Sequence, residues 1–243
     1  MIFIYNKTLL FIIRLFNKFR IGYGLRRKTL CCKLILENNY KLKSNFNFIQ
    51  IGANDGVSFD FLYDFLIERN SRGIVIEPIK EYFEELCKNY KNYPKILKIN
   101  KAVHPYKKKI EIYKIDKKKA DKYPDWVKGI ASLNKNHHKK TKISSDDIII
   151  EKVQTDTLMN IIDENYNYNY IDFIQIDTEG FDYEVIKMID FNTLKPSLLK
   201  VEYINLSKED KTNLKQMLRQ NKYFIIREGE DLIGVDLTKI KLY

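Results

Sequence analysis

The sequence predicts an α/β fold, a parallel sheet with helices on both faces, and three observations carry that prediction. From Asn45 onward, short apolar runs of strand length alternate with stretches of helical periodicity. Two runs 123 positions apart (171−48), Phe48-Ile49-Gln50-Ile51-Gly52-Ala53-Asn54-Asp55-Gly56 and Ile171-Asp172-Phe173-Ile174-Gln175-Ile176-Asp177-Thr178-Glu179-Gly180, both end in glycine and acidic residues. A third run, Gly73 to Glu77, ends in an acid 25 positions after Gly52 (77−52). Ligands of parallel α/β sheets collect outside the carboxyl ends of the strands, so these tips are expected to open into one crevice.

Phe46 to Ile51 reads as the first strand. Val57 to Arg69 follows as a helix, with Phe61, Leu62, Phe65 and Leu66 at helical spacing. Gly73 to Glu77 is the second strand, closed by Pro78, which removes a backbone donor. Glu81 to Tyr90 is a helix and Lys95 to Val103 a third strand. Lys107 to Asp147 is the least regular stretch, lysine-rich, with one strand expected around Ile110, Ile112 and Ile115; loops this long are functional or disordered. Ile148 to Val153 is a strand and Leu158 to Ile162 a short helix capped by Thr155 or Asp156. Tyr170 to Asp177 is the fourth main strand, Phe181 to Ile189 a helix, and Ser197 to Tyr203 the fifth strand. Ser207, with Asp210 three positions on, opens a helix to Gln220, and Tyr223 to Arg227 with Leu232 to Leu237 form an antiparallel pair across a Gly-containing turn.

With 243 residues, 44% of them hydrophobic, the chain has apolar material for one sizeable core. Two parts are expected: an N-terminal helical extension, 1–44, and a catalytic domain, 45–243, with a lysine-rich insertion at about 104–147. The net charge of +11 suits an anionic partner, but the lysines are spread along the chain and accompany asparagine and isoleucine, as an AT-rich genome produces. No basic helix with interleaved aromatics stands out, so nucleic acid is not the expected partner. Cys31, Cys32 and Cys87 fit neither a disulfide framework nor a zinc site, which points to a reducing, cytoplasmic setting. Met1 to Arg20 mixes apolar runs with Lys7, Arg14, Lys18 and Arg20, so neither a signal peptide nor an uninterrupted spanning helix is expected there. Its expected contacts are the inner membrane surface, as a basic amphipathic helix, or the domain itself or a partner subunit in a homodimer.

Gly52 and Gly56 allow a sharp turn and a close backbone approach in the loop that also holds Asn54 and Asp55. A dinucleotide fingerprint has a third glycine and keeps carboxylates away from the pyrophosphate. An acidic turn suits a cationic or neutral ligand instead, and S-adenosyl-L-methionine offers a positive sulfur and an amino group. Glu77 lies where a Rossmann-like fold places the acid that accepts from both ribose hydroxyls.

The run Ile51 to Gly56, the Ile76-Glu77-Pro78 strand end, Asp172 to Gly180, and Lys195-Pro196 before Glu202 together resemble FkbM-type methyltransferases over about Asn45 to Asp236. The resemblance implies a Rossmann-like class I methyltransferase fold, with a mostly parallel seven-stranded sheet and an antiparallel final strand. It also implies S-adenosyl-L-methionine as donor and a sugar hydroxyl as acceptor, in a surface polysaccharide or its nucleotide-linked or lipid-linked precursor. Asp55 departs from the family pattern, which favours an aliphatic residue there, and so does the lysine-rich insertion. On this reading Gly52, Asn54, Asp55, Gly56, Glu77 and Ala102 bind the cofactor, with Asp55 at its amino-acid end. Ser132, in a Ser-Leu pair that the family tends to keep, and Glu202 face the substrate.

Transfer to an alcohol is an in-line displacement in which the oxygen must be aligned and deprotonated, and a positioned base contributes about 10²- to 10⁴-fold. Asp177, Glu179 and Glu202, at neighbouring strand tips, are the expected acids. By analogy with other sugar O-methyltransferases, Asp177 and Glu202 would hold Mg²⁺ while Glu179 acts as base; Glu179 is also placed to cap the following helix. His104 is expected near the adenine as an exposed loop residue or a base. His137 and His138 lie beside Ser132 in a loop that is either a lid or a solvated surface. Trp126 and the alternating Tyr166, Tyr168 and Tyr170 are sugar-stacking candidates outside the first rank. The rival functions are an RNA methyltransferase, favoured by the charge, and an inactive membrane-associated scaffold.

Overall fold

Strand β1 (Asn47–Ile51) occupies the middle of a seven-stranded sheet, flanked in parallel by β2 (Arg72–Ile76) and β8 (Phe173–Ile176). The computed structural model describes residues 1–19, 30–40, 45–58, 61–165 and 170–242, with the side chains of Asn17, Trp126, Lys128 and Thr141 outside that description. On one side β3 (Ile96–Ile99) extends the parallel set beyond β2, and on the other β9 (Leu198–Glu202) extends it beyond β8. A closing pair, β10 (Phe224–Glu228) and β11 (Asp231–Val235), completes the order β10-β11-β9-β8-β1-β2-β3. The final strand, β11, runs antiparallel between β9 and β10, as expected for a Rossmann-like methyltransferase sheet.

The sheet buries both faces, which is why its central strands read as unbroken apolar runs. Ile49, Ile51, Ile174, Ile176 and Val201 pack on one side, and Phe46, Phe48, Val75 and Phe173 on the other. The second cluster also takes Cys32, Ile35 and Leu36 of the Cys32–Tyr40 helix. That helix is tied to β10 by the Cys32 amide, which donates to Glu228 Oε2 at 2.8 Å. The Lys208–Gln220 helix begins as expected, its Asp210 amide donating to the Ser207 hydroxyl at 3.0 Å.

Three expectations need correction. The expected strand from Lys95 to Val103 is two strands: after β3 the chain leaves the large sheet, and β4 (Ala102–Val103) pairs with β7 (Ile148–Asp156) instead. Asn100 makes the break, its side-chain amide donating to the carbonyls of Glu77 and Pro78. The lysine-rich stretch is more ordered than expected, because β5 (Lys109–Ile115) pairs antiparallel with β7 and with β6 (Ala131–Ser132), giving a second sheet, β4-β7-β5-β6. Ile110 and Ile112 anchor it against Ile79, Ala102 and Val153. Finally, the Leu158–Asn165 helix is capped by Thr157, whose hydroxyl accepts from the Asn160 amide at 3.2 Å, rather than by Thr155 or Asp156.

Candidate active site

Above the tips of β1, β2, β8 and β9 lies a cleft of about 390 Å³, walled on its far side by the second sheet. Gly52, Asn54, Glu77, Ala102, Asp177, Glu179 and Glu202 all line it, so the acidic strand ends share one crevice. Gly52 is dictated by this convergence. Its φ is +76°, and a Cβ there would lie 1.7 Å from the Asp177 carbonyl oxygen.

Glu77 is buried at the end of β2, and its two carboxylate oxygens accept from the amides of Asn54 and Ile79, each at 2.8 Å. Burial pushes its pKa up to about 7, against the opposing pull of those amides. Asn54 and Glu179, just past the tips of β1 and β8, both have left-handed backbones, with φ of 51° and 53°. Asparagine tolerates that region, whereas for glutamate it costs about 1–3 kcal/mol and concentrates at functional sites.

Asp55 and Gly56 serve the loop rather than the cleft wall. The Asp55 carboxylate accepts from the amides of Val57 and Ser58 and from the Ser58 hydroxyl. Gly56 makes room for a neighbouring helix, since a Cβ there would lie 2.5 Å from Tyr90 and 2.7 Å from Leu86. His104 is buried, not exposed; its Nδ1 accepts from the amides of Tyr106 and Lys107, and its ring stacks on Phe181. Burial and then Lys107 lower its pKa, so it is a neutral structural imidazole with its proton on Nε2.

Glu179 is held from the insertion and from the loop after β9. His137 Nε2 lies 3.2 Å from Glu179 Oε2, and Asn205 Nδ2 donates to the same oxygen at 2.9 Å and to Glu202 Oε1 at 2.7 Å. The Ser132 hydroxyl donates to the Glu179 carbonyl at 2.8 Å, fixing β6 to the tip of β8. Beside these groups a second cavity of about 220 Å³, bordered by Asn134, His137, Lys140 and Asn205, shares Leu133, Glu179 and Phe181 with the main cleft. The side chain of Trp126, and Tyr166 and Tyr168, lie outside the described residues; Tyr170 is exposed and lines neither cavity.

A model of the methyltransferase FkbM domain matches residues 50–225, more than half of the 243-residue chain. The chain belongs to the FkbM methyltransferase family. No curated protein is significantly similar to it. Among solved structures it is similar to a methyltransferase FkbM from Methylobacillus flagellatus KT, at 13% identity and a TM-score of 0.45, over 79% of this chain and 44% of that one. It thus spans less than half the length of that structure. It is also similar to a fibrillarin pre-rRNA processing protein from Methanococcus jannaschii, at 14% identity, TM-score 0.41, over 79% and 67% of the two chains. A third is M. capricolum TrmK in complex with S-adenosyl-homocysteine, at 14% identity, TM-score 0.39, over 87% and 70%.

In this member of the family the acidic tips are joined by a residue that the sequence alone did not mark. Asp182, fully buried, brings a carboxylate oxygen into a group with one each from Asp177 and Glu202, all within 4.8 Å of one another. Its two oxygens accept from the amides of Thr178 and Gly180, and burial opposed by those amides sets its pKa at about 6. Glu202 is 8% exposed, and burial followed by the charges of Asp177, Asp182 and Glu179 pushes it up to about 10. Desolvation and then Glu179 and Asp182 raise Asp177 well above the carboxylate range. Asp177 nonetheless stays open to water in the cleft, so repulsion acts while the cleft is open and desolvation grows when a ligand fills it. The three carboxylates repel one another when ionised, and a proton or a cation among them relieves that repulsion. As a divalent-ion set they fit: Asp177 is accessible, Asp182 lies in the same group, and Glu202 Oε2 has no hydrogen-bond partner among the described residues.

Proposed function

We propose that this FkbM methyltransferase moves the methyl group of S-adenosyl-L-methionine onto a sugar hydroxyl, in a glycan or nucleotide-sugar precursor of a surface polysaccharide, in the cytoplasm. The observation that carries this reading is the wall of Leu133, Glu179 and Phe181 shared by the two cavities, one of a size for a donor and the other for a sugar ring. In the larger cleft, Glu77 accepts from the ribose hydroxyls, the turn at Gly52 and Asn54 admits the donor backbone, and Ala102 sits beside the adenine. A cationic sulfonium is favoured by Glu179 on the wall the two cavities share.

In the smaller cavity, Asn134 and Lys140 offer polar groups to a sugar and to an attached phosphate. The acceptor oxygen attacks the methyl carbon in line, the new O–C bond forms as the S–C bond breaks, and its electron pair leaves with sulfur. Glu179 takes the hydroxyl proton on Oε1, because His137 and Asn205 hold Oε2. Asp177 and Glu202 Oε2, with Asp182 behind them, would hold Mg²⁺, which when bound acidifies the acceptor hydroxyl.

Titration calorimetry with S-adenosyl-L-methionine tests the donor: heat from the native protein and none from Glu77→Ala is the expected pair of results, and no heat from either overturns an enzyme. Labelled methyl transfer offered to glycan precursors and to total RNA tests the acceptor. Robust labelling of RNA with none of glycan overturns the sugar.

A further inference from the structure

The Ile2–Lys18 helix has two apolar faces, and the protein covers only one of them. Asn6, fully buried, fastens the inner face: its Nδ2 donates to the carbonyls of Leu237 and Ile240, and its Oδ1 accepts from the Leu242 amide. Leu10, one turn along the same face, packs against the cluster that holds Phe46 and Phe48. Around the helix from these two, Ile4, Phe11 and Leu15 are 69%, 65% and 43% exposed, and Phe19, just past the helix end, is 64% exposed. Four such side chains in a row form an apolar strip of a kind that soluble surfaces rarely leave uncovered. Along one border of the strip, Lys7, Arg14 and Lys18 fall at i, i+7 and i+11, which places them on a single line.

We infer that this strip is seated in the headgroup region of a bilayer rich in anionic lipid, with the helix lying in the membrane plane. The charge pattern selects that occupant. Residues 1–36 contain eight Lys and Arg and no Asp or Glu, the first acid being Glu37. A second copy of the helix would bring like charges together, whereas anionic headgroups neutralise them while the acyl boundary takes up Phe11 and Leu15. No helix among the described residues is long and apolar enough to cross a membrane, so the seat is on the surface. The inference is independent of the donor and of the acceptor, and it fits a lipid-linked precursor.

Co-sedimentation of the full chain with phosphatidylcholine vesicles, alone or mixed with phosphatidylglycerol, tests it. The native protein is expected to pellet with the mixed vesicles and to be released by salt. Neutralising the line with Lys7→Gln, Arg14→Gln and Lys18→Gln should weaken binding on the order of a hundredfold, about fivefold per charge. Ile4→Gln, Phe11→Gln and Leu15→Gln together should leave the protein in the supernatant, with its circular dichroism and S-adenosyl-L-methionine binding unchanged. Native protein that stays in the supernatant with both vesicles, or pellets equally with both, overturns the proposal. So does a dimer in sedimentation velocity that the apolar-to-Gln variant converts to monomer without any vesicle binding.

Discussion

The main-chain oxygen of Asp177 sits directly over Gly52, at 1.7 Å from where a Cβ would be, so the tips of β1 and β8 touch through a position that admits no side chain. Gly52→Ala must push β8 away and also hold a left-handed backbone. Overpacking and the φ penalty together predict a loss on the order of 3 kcal/mol, read from the urea midpoint at unchanged slope. Gly229→Ala, where nothing lies within 4 Å of the added Cβ, is the control and should lose only the φ penalty.

Glu77 and Asp55 are separated by the same assay. Glu77→Gln keeps one acceptor oxygen but removes the charge, and hydrogen bonds to charged groups are worth about 1.5–3 kcal/mol, so donor affinity should fall on the order of 10- to 100-fold. Since the Glu77 carboxyl titrates at about 7, native affinity should rise as the pH is taken upward through that value. Asp55→Ala frees three donors of its own loop, so the melting temperature should drop while donor affinity stays near native.

Glu202 sets a slope of stability with pH. Its folded pKa of about 10 lies above that of an unfolded glutamate, so the folded state binds the extra proton throughout that interval and stability falls as pH rises across it. Thermal melts between mildly acidic and alkaline pH should show this decline, and Glu202→Gln should flatten it. Mg²⁺ should recover the melting temperature of the native protein at alkaline pH and do much less for Glu202→Gln; an identical response in both proteins removes Glu202 from the metal set.

His137 and Asn205 act through Glu179. If Glu179 is the base proposed above, His137→Ala and Asn205→Ala should each lower kcat about 10- to 100-fold by releasing it from its position, with the dissociation constant of the donor unchanged. Equal loss of donor binding would make them part of the cleft's structure instead.

Strands β1, β2, β8 and β9 were legible because fully buried parallel strands leave continuous apolar runs, and their acidic ends marked the side of the sheet that carries the cleft. The closing pair was legible from its Gly-containing turn, and the Lys208–Gln220 helix from Ser207. Asn100 was not, because nothing in Lys95 to Val103 distinguishes a strand that ends from one that continues; the break depends on two carbonyls distant in sequence. The second sheet was hidden because β5 and β7 are separated by a lysine-rich stretch and pair only through tertiary contact. Asp182 looked like an ordinary first-turn acid, and only the approach of β9 makes it part of the cluster. Asn205 carried no local signal at all.

The small sheet is spliced into the chain between Asn100 and the Leu158–Asn165 helix, with β4 at one margin and β6 at the other. Rebuilding the segment between β5 and β7 would reshape the cavity bordered by Asn134, His137 and Lys140 while Glu77, Gly52 and the amides around them stay put. That cavity is therefore inheritable as a cassette, free to diverge without disturbing the cleft floor that Gly52 and Glu77 build.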